Sequence, residues 1–262
     1  LQYFVEDKIP VLGIEPAANV AEAARKKGVD TRVDFFTEKL ANTLRSEGVA
    51  PRLICAANVM AHVPDINDFV KGLATLLTGD AVFTVEFPHL QNLMEQVQFD
   101  TIYHEHYTYL SLVAVERIFA EFGLRVFHVE ELPTHGGSLR VFACQNTASH
   151  ETEPSVAAMR AKEHAGGLDV SSGYDGFDEK VRAVKTGLNA FLKQAQADGK
   201  VVAAYGAAAK GNTILNFAQV GPDRIAYCVD RNPAKQNTLL PGSRIPVRSV
   251  DALREDRPDY VL

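Results

Sequence analysis

The 262-residue chain has no block of basic residues: 27 Lys and Arg are scattered among 33 Asp and Glu, for a formal net charge of −6. A surface without a basic stripe lacks the electrostatic footprint for nucleic acid or an anionic membrane, which points to small-molecule partners. No apolar run reaches the roughly 20 residues that a bilayer demands, and no basic-then-apolar leader precedes the first strand. A soluble, cytoplasmic protein is expected. Cysteine is scarce. Cys55, Cys144 and Cys228 lie far apart, each in an apolar run, and read as buried free thiols in a reducing compartment, not as a disulfide framework or zinc site. Neither G-x-G-x-x-G nor the Walker A pattern occurs, so a dinucleotide-dependent enzyme is disfavoured.

What is present is an alternation of strands and helices. With 46% apolar and 23% charged residues, the chain is long enough for one large domain or two smaller ones. Val11-Leu12-Gly13-Ile14-Glu15-Pro16 reads as a strand and a turn, followed by an Ala-rich helix; further strand–helix pairs occupy residues 31–48 and 52–77, and 81–88 is another strand. The run 52–58 is apolar without alternation, as expected of a central parallel strand covered on both faces. This pattern argues a doubly wound α/β sheet, and open α/β sheets place ligand groups at the carboxyl ends of their strands. Glu15, Asn58 and His62 fall at such ends. Glu15 suits a ribose diol, or else caps the helix that follows.

The densest chemistry lies in Phe99-Asp100-Thr101-Ile102-Tyr103-His104-Glu105-His106-Tyr107-Thr108-Tyr109. Imidazoles titrate near neutral pH, carboxylates fix their tautomers, and phenols donate to developing oxyanions, so this is a proton-transfer kit. On composition alone it also suits a metal hydrolase using His104 and His106 with Glu105, given a further ligand from His62 or His135. The segment follows strand 81–88 and is expected on the same carboxyl-end side as Glu15, Asn58 and His62.

Beyond a helix at 112–123, an alternating strand at 125–132 and the turn Thr134-His135-Gly136-Gly137-Ser138 predict a hairpin finishing the sheet. Arg140 on its second strand suits bidentate phosphate binding, unless the glycines merely make a tight turn. Residues 148–176 are polar and mobile in character and mark a domain boundary, and 177–197 is a long amphipathic helix. A second α/β unit starts at residue 200. Its strand runs into Tyr205-Gly206-Ala207-Ala208-Ala209-Lys210-Gly211, a small-residue loop opening a helix, which resembles a phosphate cradle with Lys210 as point charge. The next strand ends in Asp230, suited to a ribose or sugar hydroxyl.

With these motifs in hand the chain resembles the S-adenosylmethionine-dependent sugar C-methyltransferases, which act on dTDP-linked keto-deoxysugars. The resemblance rests on Phe99 to His106, Gly136-Gly137-Ser138-Leu139-Arg140, Tyr205 to Gly211 and Asp230-Arg231-Asn232-Pro233-Ala234-Lys235-Gln236, in that order. It implies a class I methyltransferase-like (Rossmann-like) domain over 1–147, a linker and connecting helix over 148–198, and a smaller Rossmann-like sugar-nucleotide domain over 199–262. It further implies His106 as general base beside Tyr103, Glu105 and His62. Glu15 and Asn58 are then the cofactor side, and His104, Arg140, Lys210, Asp230 and Lys235 the substrate side. The family's cysteine-bearing zinc domain and glycine-rich first cofactor motif have no counterpart in the chain, so it reads as a piece of a longer protein. A non-catalytic nucleotide-sugar-binding module is the rival reading.

Overall fold

The computed structural model describes residues 1–262. In chain order the elements are α1 (Gln2–Glu6), β1 (Gly13–Ile14), α2 (Ala18–Arg25), β2 (Thr31–Arg32), α3 (Glu38–Ser46), β3 (Leu53–Ala57), α4 (Ile66–Leu76), β4 (Val82–Pro88), α5 (Leu90–Glu95) and α6 (Leu112–Glu121). They continue with β5 (Leu124–Leu132), β6 (Ser138–Gln145), α7 (Pro154–Ala165), α8 (Phe177–Ala197), β7 (Val202–Tyr205), α9 (Ala209–Ala218), β8 (Cys228–Val229), β9 (Val247–Arg248), α10 (Ala252–Asp256) and β10 (Tyr260–Val261). The chain divides into two compact units. The first comprises Leu1–Pro88 and Leu110–Ala165, the second His89–Tyr109 and Gly166–Leu262.

In the first unit a four-stranded sheet has the order β3-β4-β6-β5, and β1 and β2 form a separate parallel pair. β3 runs parallel to β4, while β4–β6 and β5–β6 are antiparallel, so the predicted hairpin does finish the sheet. The core lies on β4 and β6, where Phe83, Val85, Phe87, Leu139, Val141 and Ala143 are fully buried. α4 adds Phe69, Val70 and Leu73, and α6 adds Leu112, Val115 and Phe119. Each large side chain in this set contributes about 1.5–3 kcal/mol by leaving water. Helix starts follow their caps: Thr37 accepts from the Leu40 amide, Asp65 from that of Asp68 and Ser111 from that of Ala114, each such cap worth about 1 kcal/mol.

Three expectations change. β3 is an edge strand, since its only partner is β4; an apolar run shows that a strand packs on its faces, but not whether both its edges are paired. Cys55, on that edge strand, is exposed, whereas Cys144 and Cys228 are buried, all three as free thiols. The segment 148–176 is not uniformly loose either, because α7 buries Val156, Met159 and Glu163.

The second unit carries an all-parallel sheet in the order β10-β7-β8-β9. Its core gathers Leu192 and Ala195 of α8, Val202 and Ala204 of β7, Leu215 of α9, and Ile225, Leu240 and Ile245. The predicted amphipathic helix is α8, residue for residue, although Phe191 stays 37% exposed, its ring edge-on to Tyr260 at 5.2 Å. No helix in the chain is long and apolar enough to cross a membrane.

Candidate functional site

The proton-transfer kit belongs to the second unit. Phe99 and Thr101, in a short 3-10 turn, are buried, and the Phe99 ring meets Phe217 of α9 edge-on at 5.2 Å. This apolar anchor explains why a polar segment groups with the elements around α9 and not with the sheet it follows in sequence. From the anchored turn the chain bends through Tyr103, whose carbonyl accepts the His106 amide at 3.0 Å.

That bend puts the His106 ring between two partners. Nδ1 lies 2.7 Å from the Thr101 carbonyl oxygen, and Nε2 lies 3.4 Å from the Tyr103 hydroxyl. A carbonyl only accepts, so Nδ1 carries the proton and Nε2 of the neutral ring keeps its lone pair, in the tautomer a general base needs. The Tyr103 ring lies against the imidazole with centroids 4.4 Å apart, and the Tyr109 ring stands edge-on at 6.2 Å. Burial raises the Tyr103 phenol above its usual range, and the Glu105 and Asp100 charges push the same way. Burial raises Tyr109 too. Both phenols therefore remain O–H donors at neutral pH.

The hydrogen bond at Nδ1 comes from the Thr101 backbone. No side-chain motif displays a carbonyl. His104 and Glu105 are exposed on the same bend.

The small-residue loop also lies in this unit. Gly206 takes a positive φ of 97°, and its amide bonds the Val229 carbonyl. The Ala207 amide donates to Asp230 Oδ2 at 2.8 Å, the Asn232 amide to Oδ1 at 2.8 Å, and Lys235 Nζ to the Ala207 carbonyl at 2.8 Å. Asp230 and Lys235 thus brace the loop as well as bordering it. The Asn232 amide, with further help from Ala207 and Lys235, holds the Asp230 carboxyl below the usual carboxylate range. Ala209, Lys210 and Gly211 open α9, and their amides, in the first turn, have no intrahelical acceptor.

Glu15, Asn58, His62 and Arg140 belong to the first unit. Glu15 Oε1 accepts the Ala17 amide at 2.8 Å, which leaves the second carboxylate oxygen available to a ligand. His62 ends a short 3-10 turn after β3, and its amide bonds the Val59 carbonyl. Asn58 has a left-handed backbone (φ 54°), and its Nδ2 lies 3.0 Å from His135 Nε2. Arg140 pairs with Glu86 at 3.0 Å and with Glu130 at 3.4 Å. Its guanidinium is thereby engaged within the sheet, where Glu86 also accepts from the Thr134 hydroxyl at 2.8 Å. No three His, Cys, Asp or Glu side chains gather in a way that would hold a metal ion.

Residues 1–129 match the methyltransferase domain family, and residues 133–262 match the C-methyltransferase C-terminal domain. Over all 262 residues the chain is 37% identical to C-methyltransferase NovU of Streptomyces niveus. Each half of the chain thus matches a methyltransferase family model, the second half that of the C-methyltransferase C-terminal domain. The chain spans 62% of the length of that curated relative. Among solved structures, a SAM-dependent methyltransferase from Anabaena variabilis is 15% identical with a TM-score of 0.41, over 54% of this chain and 71% of that one. Magnesium protoporphyrin IX methyltransferase from Synechocystis, with bound SAH, is 14% identical with a TM-score of 0.40, over 52% and 64%. The chain combines a hairpin-finished α/β unit with a parallel α/β unit that carries its histidine–tyrosine bend.

Proposed function

We propose that the chain serves an S-adenosylmethionine-dependent methyl transfer to carbon, with a nucleotide-linked keto-deoxysugar, dTDP-linked or of another nucleotide, as acceptor. The observation that carries this reading is the His106 imidazole, with Nδ1 2.7 Å from the Thr101 carbonyl and Nε2 3.4 Å from the Tyr103 hydroxyl, a phenol that burial keeps protonated. A carbon next to a ketone becomes nucleophilic only on losing a proton, so methyl transfer to it needs a base before anything else. His106 Nε2 takes that proton. The Tyr103 hydroxyl donates to the oxygen on which the enolate charge develops, and the Glu105 carboxylate favours the imidazolium that results. His104 borders the sugar.

The residues present fit the cofactor. Glu15 ends β1 with one carboxylate oxygen left over, and Asn58 ends β3 with a buried Oδ1 that has no partner; both are acceptors for the hydroxyl and amino donors of an adenosyl amino acid. Bound there, S-adenosylmethionine supplies an electrophilic sulfonium methyl. On the acceptor side, the free amides opening α9 and the Lys210 charge suit the diphosphate, with Asp230 and Lys235 holding the loop in shape.

The test is solvent-deuterium exchange at the carbon next to the ketone, using a dTDP-linked keto-deoxysugar. His106→Ala should slow exchange on the order of 10² to 10⁴ fold while S-adenosylhomocysteine affinity is nearly unchanged. Exchange at the wild-type rate would remove His106 from the role of base. A chain that binds the sugar nucleotide but no cofactor would leave only the binding-module reading.

A further inference from the structure

Asn58 and His135 are 77 residues apart and meet side chain to side chain at 3.0 Å. Both are non-glycine residues with a left-handed backbone, each at φ 54°. Such geometry is uncommon and persists where the surroundings over-determine it. The surroundings here do so. The Asn58 amide is tied to the Glu86 carbonyl at 2.8 Å, at the end of the β3–β4 pairing. On the opposite side, the turn carrying His135 is tied to the same residue, because Thr134 Oγ1 donates to Glu86 Oε1 while Arg140 occupies Oε2. The Thr134 carbonyl in turn accepts the Ser138 hydroxyl at 2.9 Å and the Gly137 amide at 2.9 Å. Gly136 and Gly137, at φ 85° and 111°, supply the backbone that this turn needs. Glu86 therefore anchors both halves of the contact.

The contact has a direction. With Nδ2 donating to His135 Nε2, the Asn58 Oδ1 faces the other way, and that oxygen is buried without a hydrogen-bond partner. A buried acceptor left unsatisfied is destabilising, and this one stands at the carboxyl end of a parallel strand, where α/β sheets take ligands. We propose that His135 is a positioning residue that holds the Asn58 side-chain amide with Oδ1 presented to an N–H or O–H donor of the bound S-adenosyl cofactor. The inference rests on the cofactor reading above. It adds His135, through its Nδ1–H tautomer, to the residues that set cofactor affinity. Gln at 135 keeps an acceptor for Nδ2; Ala does not.

The experiment combines ring-nitrogen NMR of the wild-type chain with calorimetric titration of S-adenosylhomocysteine into wild type, His135→Ala and His135→Gln. Expected are an unprotonated Nε2 on His135 at neutral pH, affinity weakened about tenfold in His135→Ala, and recovery to within about threefold of wild type in His135→Gln. A merely structural role would not give rescue by Gln at equal thermal stability. A protonated Nε2 paired with Oδ1 overturns the orientation, and needs no variant to fold. Equal affinity in wild type and His135→Ala overturns the positioning role and leaves the cofactor reading intact. No binding by wild type overturns both.

Discussion

Glu163 makes the sharpest stability prediction. Its carboxylate is fully buried on α7 and accepts the amides of Leu112 at 2.6 Å and Val113 at 2.8 Å, the first two residues of α6. Those amides have no intrahelical acceptor, and the carboxylate also meets the positive end of the helix. In Glu163→Gln the side chain offers one acceptor and one donor to two donors, so one buried N–H loses its partner, which costs about 1–3 kcal/mol. The surviving bond drops from charge-assisted to neutral, a further loss of about 1 kcal/mol. The sum is about 2–4 kcal/mol. Ser111→Ala removes the neighbouring cap to the Ala114 amide and should cost only about 1 kcal/mol. Urea unfolding followed by circular dichroism measures both variants, and hydrogen exchange at the Leu112 and Val113 amides localises the effect. A loss in Glu163→Gln no larger than that in Ser111→Ala would refute the reasoning, because the carboxylate would then not be what supports the start of α6.

Thiol labelling of the native chain should proceed at one site: Cys55 is exposed, whereas Cys144 and Cys228 are buried and raised by that burial above their usual range. Cys55→Ser should remove the fast phase in an aromatic-disulfide assay. Asp230 should make the second unit acid-sensitive. Its folded carboxyl is lowered relative to the unfolded chain, so its contribution is complete above the unfolded value of about 4 and is lost as pH falls through the lowered folded value; Asp230→Asn should flatten the stability-against-pH curve over that window. At Gly242 (φ 75°) an added Cβ would sit 2.0 Å from Asn216 Oδ1. Gly242→Ala should lower the unfolding midpoint, with a cost on the order of 1–3 kcal/mol.

Much of the fold is legible because periodicity and burial are the same fact seen twice. The spacing of Val181, Val184, Leu188 and Leu192 predicts α8 over its whole length, and the alternation after residue 124 predicts the β5–β6 hairpin. Pattern fails where the deciding neighbour is remote. β3 is apolar throughout, yet only its pairing with β4 shows that it lies at an edge and that Cys55 is exposed. Residues 148–176 look polar because α7 turns a charged face outwards, while the one carboxylate it buries, Glu163, is fixed by amides some 50 residues away.

The candidate site divides along the same line. Side-chain chemistry shows in local composition, so the histidine–tyrosine segment stands out from sequence alone. What sets His106 apart from a surface imidazole is a backbone oxygen, the Thr101 carbonyl, delivered by a turn that is anchored through Phe99 on Phe217. The Asn58–His135 contact is hidden in another way, since each residue is unremarkable alone and only Glu86, which anchors both, brings them together. Both devices fix which ring nitrogen carries the proton, at His106 through a carbonyl and at His135 through an amide. Under the proposed reading each imidazole works through a defined tautomer, with Nε2 of His106 facing the proton it would take and Nε2 of His135 accepting from the Asn58 side chain.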